Sequence, residues 1–424
     1  MRSVCVSVVS AFRAGGLILA LLAVSACTTV PKNVPPPDIP ASDPVLDRID
    51  DLPEAEPATD PVEAPFVSAP PIAPSEPPED PVIEAPNAFE TLEGWAGHDP
   101  RPALSAFRRS CDVLTKGAFD APLNSNLPQY GAYGDWTQAC EAADDVMTTA
   151  DDARSFFESE FVPITLSSDT GEAGLLTGYY EPEVTVRVKP DDVFYEPILA
   201  WPKKKSNRRR VRAKINSKSA RVIAYGRPID VFFLQIQGSG RLRFSDGRVI
   251  RAAYAGNNGH PYRSIGRVLI ERGEIKPEQS SKDDIERWMI ENGSGAAREL
   301  INENPRYIFF TEQKILPGEG PRGAMRVPLT GMASMAVDPR YHPYGALVWM
   351  STTLPQEPGD YVGEMTHLLV SAQDTGSAIR GPFRGDLFFG SGFEAGEYAG
   401  VMKHPVLWTI LVPKAIAPAS SELS

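Results

Sequence analysis

The chain has 424 residues, a formal net charge of −13 and four cysteines, and 42% of its residues are hydrophobic. This length can hold two ordinary globular domains and still leave sequence over. Thirteen acidic and two basic residues lie between positions 28 and 87, which leaves residues 88–424 with a net charge of only −4. This larger part is therefore mildly acidic, and its charge gives no support for nucleic-acid binding.

The N-terminus has the pattern of an export signal. Arg2 and Arg13 flank a basic region, Leu17 to Val24 form a short apolar core, and small residues lead to Cys27. The apolar run is too short to span a bilayer comfortably, which favours a cleaved signal over a transmembrane helix. Because small residues before a cysteine resemble the bacterial lipoprotein signal, we predict a signal peptide over residues 1–27 and lipid attachment at Cys27. An ordinary secretory signal with an incidental cysteine is the alternative.

Residues 28–87 have the composition of a tether. Seventeen of the 41 prolines fall between Pro31 and Pro86, with acidic residues scattered among them. Such a segment cannot bury enough apolar surface to fold, so we predict a disordered, extended, acidic linker. In polyproline II form it could reach on the order of 100 Å from a membrane.

Three helices are predicted in the next region, residues 88–180. The first opens at Asp99-Pro100 and has Leu104, Phe107, Cys111 and Leu114 on one face. The second opens at Asp135 and carries Cys140; the third opens at Asp151 or Asp152. Since Cys111 and Cys140 form a pair in an exported protein, a disulfide between the first two helices is expected. Without a nearby histidine, this pair is a poor metal site.

The sequence then changes to a β-rich pattern, with alternation from Val184 to Val188. The basic run from Lys203 to Lys214 is interpreted as a solvated loop in preference to a binding patch. Val231 to Gly240 is predicted to be a strand that places Gln235 and Gln237 on one face, where amides suit sugar hydroxyls or plain water. Further along the chain we predict helices at 264–272 and 283–291, then strands and turns at 328–350, which include Asp338. A last strand is predicted at 406–412.

The most informative stretch runs from Leu368 to Phe389. An apolar run leads to Asp374, and a turn at Gly381-Pro382 leads to Asp386, which Leu387, Phe388 and Phe389 follow. Apolar surroundings raise the pKa of a carboxyl group, as a general acid requires. The alternative is that Asp374 and Asp386 simply hydrogen-bond their own turns.

Several short patterns point to other classes of protein. Asp-Thr-Gly occurs at Asp169 and Asp374, and aspartic proteases pair two such triplets. However, Ser167 and Ser168 precede the first triplet, which favours a surface turn after the third helix. Gly390 to Ala395 fits a dinucleotide fingerprint only as a bare string, because too little chain follows it. The five histidines have no metal-ligand spacing, so we expect neither a metal nor a cofactor.

Longer segments resemble a known family. LLTGYYEPEV (175–184), FFLQIQGSGRLRFSDG (232–247) and DTGSAIRGPFRGDLFFGSGFEAG (374–396), in this order, are similar to membrane-bound lytic murein transglycosylases of the A type. The resemblance implies a mainly β fold with flanking helices (α+β), in which a double-psi β-barrel and an inserted β-domain enclose a groove. Placed on this chain, residues 88–180 and 321–415 would form the barrel part and 181–320 the insertion.

The resemblance also implies an activity. Such enzymes cleave peptidoglycan and leave 1,6-anhydro-N-acetylmuramic acid ends, without a cofactor. The catalytic position corresponds to Asp386, with Asp374 and Asp338 as the other members of a three-aspartate motif. The expected glycan-binding residues are Thr177, Tyr179, Gln235, Gln237 and Ser239.

The same resemblance places the protein at the periplasmic side of the outer membrane, anchored by the lipid on Cys27. Glycan strands are the expected partner, and proteins of cell-wall synthesis or division are compatible with that location. A non-catalytic glycan-binding lipoprotein and a secreted aspartic protease are the alternative hypotheses.

Overall fold

The structure is a computed structural model and describes residues 82–86, 88–146, 149–167, 173–276, 282–316, 318–357 and 362–416. The predicted signal peptide, Cys27, nearly all of the tether and Asp169 lie outside the described residues. Within the described ranges, no helix is both long enough and apolar enough to cross a membrane.

Seven helices are described: α1 (Arg101–Leu114), α2 (Tyr133–Asp145), α3 (Ala150–Glu160), α4 (Pro228–Gln237), α5 (Ile265–Glu271), α6 (Lys282–Asn302) and α7 (Phe393–Val401). The strands are β1 (Val82–Pro86), β2 (Phe161–Ser167), β3 (Gly174–Glu181), β4 (Glu183–Thr185), β5 (Glu196–Leu199), β6 (Val222–Gly226), β7 (Gly240–Arg243), β8 (Val249–Asn257), β9 (Ile308–Gln313), β10 (Ser334–Ala336), β11 (Leu347–Leu354), β12 (Glu364–Asp374), β13 (Arg384–Ser391) and β14 (Lys403–Pro413).

Six strands close into a barrel in the order β14, β11, β12, β10, β13 and β3, because β3 also pairs with β14. The barrel is mixed: β10 runs parallel to β12 and β13 runs parallel to β3. Between β3 and β10 the chain forms a separate four-stranded sheet, β4-β7-β8-β9, and the pair β5-β6. We call residues 183–313 the insert domain. The predicted fold class, mainly β with flanking helices, is confirmed.

Helices α1, α2 and α3 pack on the barrel through one large apolar core. On α1, Leu104, Phe107, Cys111 and Leu114 are all buried, as their spacing of three and four residues predicts. Helix α2 begins two residues before the predicted Asp135, and Asp135 instead accepts a 2.7 Å hydrogen bond from the Ala132 backbone N–H at the helix start.

A disulfide joins Cys111 of α1 to Cys140 of α2, the two helices that the sequence predicts it to join. The cross-link closes a loop of 29 residues, so it restricts the unfolded chain. Replacing both cysteines by alanine is expected to lower the free energy of unfolding by about 3 kcal/mol in the chain-entropy account. Chemical denaturation measures this loss. A double variant as stable as the wild type, under non-reducing conditions, would contradict the expectation.

The tether was predicted to continue through residue 87, and this boundary is wrong. Residues 82–86 form β1, which pairs antiparallel with β2, with Ile83 opposite Leu166. A strand at a sheet edge offers unpaired backbone groups to any extended neighbour. The end of the proline-rich segment covers the edge of β2, and proline is tolerated in such an edge position.

The predicted strand from Val231 to Gly240 is also wrong, because most of it forms α4. Pro228 lies at the first helical turn, Asp230 follows in that turn, and Gly238 ends the helix in the left-handed region with φ 83°. These are helix start and stop signals that outweigh the apparent alternation of the apolar residues. The predicted helix at 283–291 extends to Asn302 in α6, with a break at Gly293.

Candidate active site

Four neighbouring strands place three polar residues and one alanine in one row across the barrel. Asp374 at the end of β12 lies opposite Ala336 of β10, and Ala336 lies opposite Asp386 of β13. Asp386 in turn lies opposite Thr177 of β3. Since neighbouring strands are separated by about 4.8 Å, the backbones of the two aspartates are roughly 10 Å apart, with a small alanine between them. The barrel thus brings together groups from four separate segments.

Asp386 accepts a hydrogen bond of 2.5 Å from the Thr177 hydroxyl, and Thr177 accepts one of 2.8 Å from Arg384. Burial raises the pKa of Asp386 to about 6, against the opposing effects of the Thr177 hydrogen bond and the Arg384 charge. The nearby Asp374 adds to the rise. A carboxyl group with this pKa can both donate and accept a proton near neutral pH.

The Asp374 carboxylate accepts more hydrogen bonds than that of Asp386. Its Oδ1 accepts from the backbone N–H groups of Ala324 and Thr375 at 2.9 and 2.8 Å, and its Oδ2 accepts from the Tyr179 hydroxyl at 3.0 Å. Burial raises the pKa of Asp374, and these three donors act in the opposite direction.

The difference between the two carboxyl groups indicates different roles. Thr177 is the only hydrogen-bond donor to Asp386 among the described residues, so oxygen lone pairs of Asp386 remain available for a ligand. Burial and the two neighbouring carboxylates raise the pKa of Tyr179 well above its usual range, which keeps its hydroxyl protonated as a donor. Asp386 is therefore the candidate for proton transfer, while Asp374 holds Tyr179 in place.

Asp338 lies outside this row, although the sequence groups it with the other two aspartates. Its side chain accepts hydrogen bonds from Arg340, including one of 2.6 Å, and one of 2.9 Å from the Gly381 backbone N–H. Burial raises the pKa of Asp338, but the bonds from Arg340 and Gly381 outweigh it and hold the pKa below its usual range. Asp338 thus fixes the turn that precedes β13.

A buried histidine makes a second contact with the same turn. The ring of His342 bonds the Pro382 carbonyl through Nε2 at 2.6 Å and the Tyr130 hydroxyl through Nδ1 at 2.8 Å. Donation to the carbonyl requires a proton on Nε2, so Nδ1 accepts from Tyr130 in the neutral ring. Burial lowers the pKa of His342, which favours this neutral form. The chain that enters β13 is therefore held on two sides before it reaches Asp386.

A buried ionic cluster joins the insert domain to the barrel beside the row. Glu181 is fully buried and accepts from Arg251 at 2.5 Å, from Arg241 at 3.0 Å and from the Ser391 hydroxyl at 2.6 Å. Arg251 also donates to the Glu319 carbonyl at 2.8 Å. Removing one partner of such a buried pair is strongly destabilising, so the cluster fixes the approach of the two parts.

The other predicted glycan-binding residues are more scattered. Thr177 belongs to the row, Tyr179 donates to Asp374 at one end of it, and the Gln237 side chain at the end of α4 accepts from the Tyr180 backbone N–H at 3.3 Å. Ser239 lies partly exposed between α4 and β7. Gln235 is only 4% exposed, so the prediction that it faces the groove together with Gln237 is wrong. The helical backbone turns the two amides to different sides.

Two residues near the site, Arg384 and Tyr344, are not predicted from the sequence. Arg384 is two residues before Asp386 on the same strand, and this spacing alone puts both side chains on one face. Tyr344 lies near Asp374 and Thr375, and burial raises its pKa to about 12. No spacing pattern identifies Tyr344, because it comes from a turn before β11. In the described part of the chain, no group of three or more His, Cys, Asp or Glu residues could hold a metal ion.

Comparison with known proteins matches both parts of the fold. Residues 175–311 match the profile of the MltA specific insert domain, and residues 333–412 match that of the 3D domain. Membrane-bound lytic murein transglycosylase A of Escherichia coli (strain K12) is 38% identical over 233 residues. That match covers 54% of this chain and 62% of the relative's length.

Solved structures resemble this chain over a larger share of its length than the sequence relative does. The crystal structure of a membrane-bound lytic murein transglycosylase from Agrobacterium tumefaciens is similar with a TM-score of 0.67 at 31% identity, covering 79% of this chain and 98% of the other. Escherichia coli MltA with bound chitohexaose is similar with a TM-score of 0.58 at 28% identity, covering 79% and 94%. The chain belongs to the membrane-bound lytic murein transglycosylase A family.

Proposed function

We propose that this chain is a lytic transglycosylase that acts on peptidoglycan. It cleaves the β-1,4 bond between N-acetylmuramic acid and N-acetylglucosamine and leaves 1,6-anhydro-N-acetylmuramic acid ends. The observation that carries the proposal is Asp386, a largely buried carboxyl group with a raised pKa and one hydroxyl partner, in a family whose relatives have this name. The Escherichia coli relative crystallised with a chito-oligosaccharide supports a glycan as the ligand.

In the first step, protonated Asp386 donates its proton to the glycosidic oxygen. The bond between C1 of the muramyl residue and this oxygen breaks, and positive charge develops on the sugar ring. With a pKa of about 6, roughly a tenth of Asp386 is protonated at pH 7, against about a thousandth for an aspartic acid of ordinary pKa. The glucosamine side leaves as an alcohol.

In the second step, the Asp386 carboxylate accepts the proton of the muramyl C6 hydroxyl, whose oxygen bonds to C1. Ordinary glycosidases use a second carboxylate as nucleophile or to activate water. Here the hydroxyl of the substrate takes the place of water, so one residue that changes from acid to base is sufficient. Arg384 and Thr177 stabilise the carboxylate between the two steps.

Asp374 and Tyr179 have a supporting role in this proposal. The Tyr179 hydroxyl is fixed by Asp374 and its ring lies 5.2 Å from that of Phe388, so it forms a rigid wall beside Asp386. We assign Thr177, Tyr179, Gln237 and Ser239 to the glycan-binding groove between the barrel and the insert domain. Gln235 is not included, because it is buried.

The alternative functions receive less support. A secreted aspartic protease requires two carboxyl groups that share a proton, whereas Asp374 is saturated by Ala324, Thr375 and Tyr179. A purely glycan-binding protein has no need for a carboxyl group with a raised pKa.

Mass spectrometry of purified sacculi after digestion tests the activity: muropeptides lighter by one water than the hydrolysis products are expected. An absence of released muropeptides would overturn the proposal.

The proposed mechanism predicts a specific pH dependence. Because Asp386 must be protonated in the free enzyme, kcat/KM is expected to fall as the pH rises through about 6. The Thr177 hydrogen bond lowers the pKa of Asp386, so Thr177→Val should move this fall upward by about half to one pH unit. Thr165→Val, a change of the same type on β2, serves as the control. An unchanged profile in Thr177→Val would contradict the assignment.

We further propose that lipid on Cys27 anchors the protein to the periplasmic side of the outer membrane. The motivation is the short apolar core that ends in Val-Ser-Ala-Cys. One acyl chain gives only marginal binding, so stable anchoring needs the several chains of a lipoprotein. With an intact signal, Cys27→Ala is expected to leave the membrane fraction, as cell fractionation measures. Retention of this variant with the membrane would place the anchor elsewhere. Proteins of cell-wall synthesis or division at that membrane remain candidate partners.

A further inference from the structure

The insert domain contains a cavity of about 370 Å³ that shares no residue with the row at Asp386. All of its lining residues fall between Pro190 and Tyr307. They come from β5 and the loop before it, the loop before Lys218, β6, the end of α6 and the residue before β9. A cavity of this volume is at the lower end of the range for small-ligand sites. It therefore has room for more than a single carboxylate or phosphate group.

A buried cation lines this cavity. Arg212 is 5% exposed, and it donates to the Asn304 carbonyl at 2.9 Å and to the Arg306 carbonyl at 2.5 Å. Both acceptors are neutral, and within the described ranges no carboxylate pairs with Arg212 and no acceptor meets its Nη1. Burial lowers the pKa of Arg212 to about 10, so the guanidinium stays charged at neutral pH.

The Arg212 guanidinium also lies over the rings of Phe232 and Tyr307, at 5.0 and 5.2 Å from their centroids. The negative charge that acts on it is that of Glu196, which is already ion-paired with Arg298, so two buried or half-buried arginines share one carboxylate. Such an excess of buried positive charge is costly, which suggests an anionic ligand.

The remaining charges of the lining leave a net positive site. Arg298 forms an ion pair with Glu196, and the lining therefore contains two arginines and one glutamate. The surrounding sequence strengthens the effect, because residues 197–229 include eleven basic residues and no acidic residue. The solvated-loop interpretation of the basic run does not hold for Arg212, which is buried. The net charge of the lining matches a ligand with one negative charge.

Polar groups complete the cavity. Asn216 and Ser217 lie at its exposed side, and Tyr307 forms an inner wall. The buried Gln235 amide lies beside Tyr307 but is not part of the lining. Amides and hydroxyls of this kind hydrogen-bond peptide groups as well as sugars.

We propose that this cavity binds the carboxylate end of a short peptide, with Arg212 and Arg298 on the carboxylate and the polar residues on the adjoining peptide group. The proposal rests on the proposed function, because the peptide stems of peptidoglycan carry such carboxylates close to the glycan. A phosphate would need more positive charge than the lining supplies. The cavity would thus select for strands that carry peptide stems, at a distance from the bond that Asp386 cleaves.

The test measures binding of N-acetyl-D-alanyl-D-alanine by ligand-observed NMR titration, with its C-terminal amide and inorganic phosphate as comparison probes. Arg298→Gln is expected to weaken binding of the acid about tenfold. Glu196→Gln removes the only negative charge of the lining, so it is expected to tighten binding several-fold. A misfolded variant cannot produce such a gain. Lys204→Gln, an exposed change in the same basic run, should leave binding unchanged.

Equal binding of the acid and its amide, tighter binding of phosphate, or no gain in Glu196→Gln would each overturn the proposal. An equal loss in Lys204→Gln would also overturn it, since diffuse charge would then explain the attraction. Asp386→Asn should bind the dipeptide as the wild type does, so failure of the proposed catalytic function can be distinguished from failure of this site.

A second experiment shows whether the bound carboxylate belongs to a peptide stem on the glycan strand or to a free peptide. The rates of digestion of peptide-bearing and peptide-free glycan strands are compared for each variant. If stems attached to the strand occupy the cavity, the ratio of the two rates falls in Arg298→Gln and rises in Glu196→Gln. A constant ratio, together with dipeptide binding, would overturn strand selection and assign the cavity to free peptides.

Discussion

Asp386→Asn is expected to reduce release of 1,6-anhydro muropeptides at least a thousandfold, to near background. Asparagine keeps the shape of the side chain but can neither protonate the glycosidic oxygen nor accept the proton of the C6 hydroxyl. A single general acid or base contributes a factor of about 10²–10⁴, so the loss of a group that acts in both steps is expected in the upper part of that range or above it. The measurement is release from purified sacculi, followed by chromatography. Substantial activity in Asp386→Asn would show that another group transfers the proton.

The same variant gives an independent check through its stability. Burial raises the pKa of Asp386 to about 6 in the folded protein, above the ordinary value of the unfolded chain. The folded wild type therefore holds its proton to higher pH than the unfolded chain, and it loses stability as the pH rises from about 4 to 6. Asp386→Asn lacks this loss and should be about 1–3 kcal/mol more stable than the wild type at pH 7, relative to pH 4. An equal difference at both pH values would contradict the raised pKa.

Asp374→Asn is expected to lower kcat about 10- to 100-fold, which is less than the loss in Asp386→Asn. An amide cannot accept at both ends, so the Tyr179 hydroxyl loses its acceptor or the N–H groups of Ala324 and Thr375 lose theirs. Because Asp374 also contributes to the raised pKa of Asp386, the alkaline fall of the pH profile should move to lower pH. Steady-state kinetics across a pH series measures both effects.

Tyr179→Phe provides the matched comparison for Asp374→Asn. If Asp374 acts through Tyr179, the double variant should lose little more activity than the more severe single variant. Fully additive losses would show that the two residues act separately. A complete loss in Asp374→Asn together with an active Asp386→Asn would mean that Asp374 is the proton-transferring residue.

The features that the sequence predicts well are those encoded by local spacing. Leu104, Phe107, Cys111 and Leu114 follow the helical period, so both the buried face of α1 and the cysteine facing α2 are evident. The strand that leads to Asp374 is similarly clear, because Leu369 and Val370 form an apolar run before the turn. Such patterns depend on a few neighbouring residues and require no knowledge of the rest of the fold.

Helix α4 shows where local reasoning failed. Its residues Val231 to Gln237 alternate weakly between apolar and polar, which favours a strand when the segment is taken alone. Pro228 and Gly238 bound the segment and settle its conformation as a helix. The predicted strand puts Gln235 and Gln237 on the same face, whereas in the helix only Gln237 contacts β3.

The row of the candidate site could not be derived from spacing. Thr177, Ala336, Asp374 and Asp386 come from four segments, and the intervening insert domain separates the first from the other three. The pairings depend on closure of the barrel by β3 and β14, which is a long-range property. The resemblance to a family named the aspartates, whereas the contacts of Arg384 and Ala324 emerged from the folded structure.

Digestion of purified sacculi in water labelled with heavy oxygen tests the central claim most directly. If the C6 hydroxyl of the substrate attacks C1 with Asp386 as the sole acid and base, the new muramyl ends are 1,6-anhydro and carry no label. Mass spectrometry of the released muropeptides distinguishes them from hydrated ends. Hydrated ends with one labelled oxygen each would show that water is the nucleophile, and would contradict the transglycosylase mechanism.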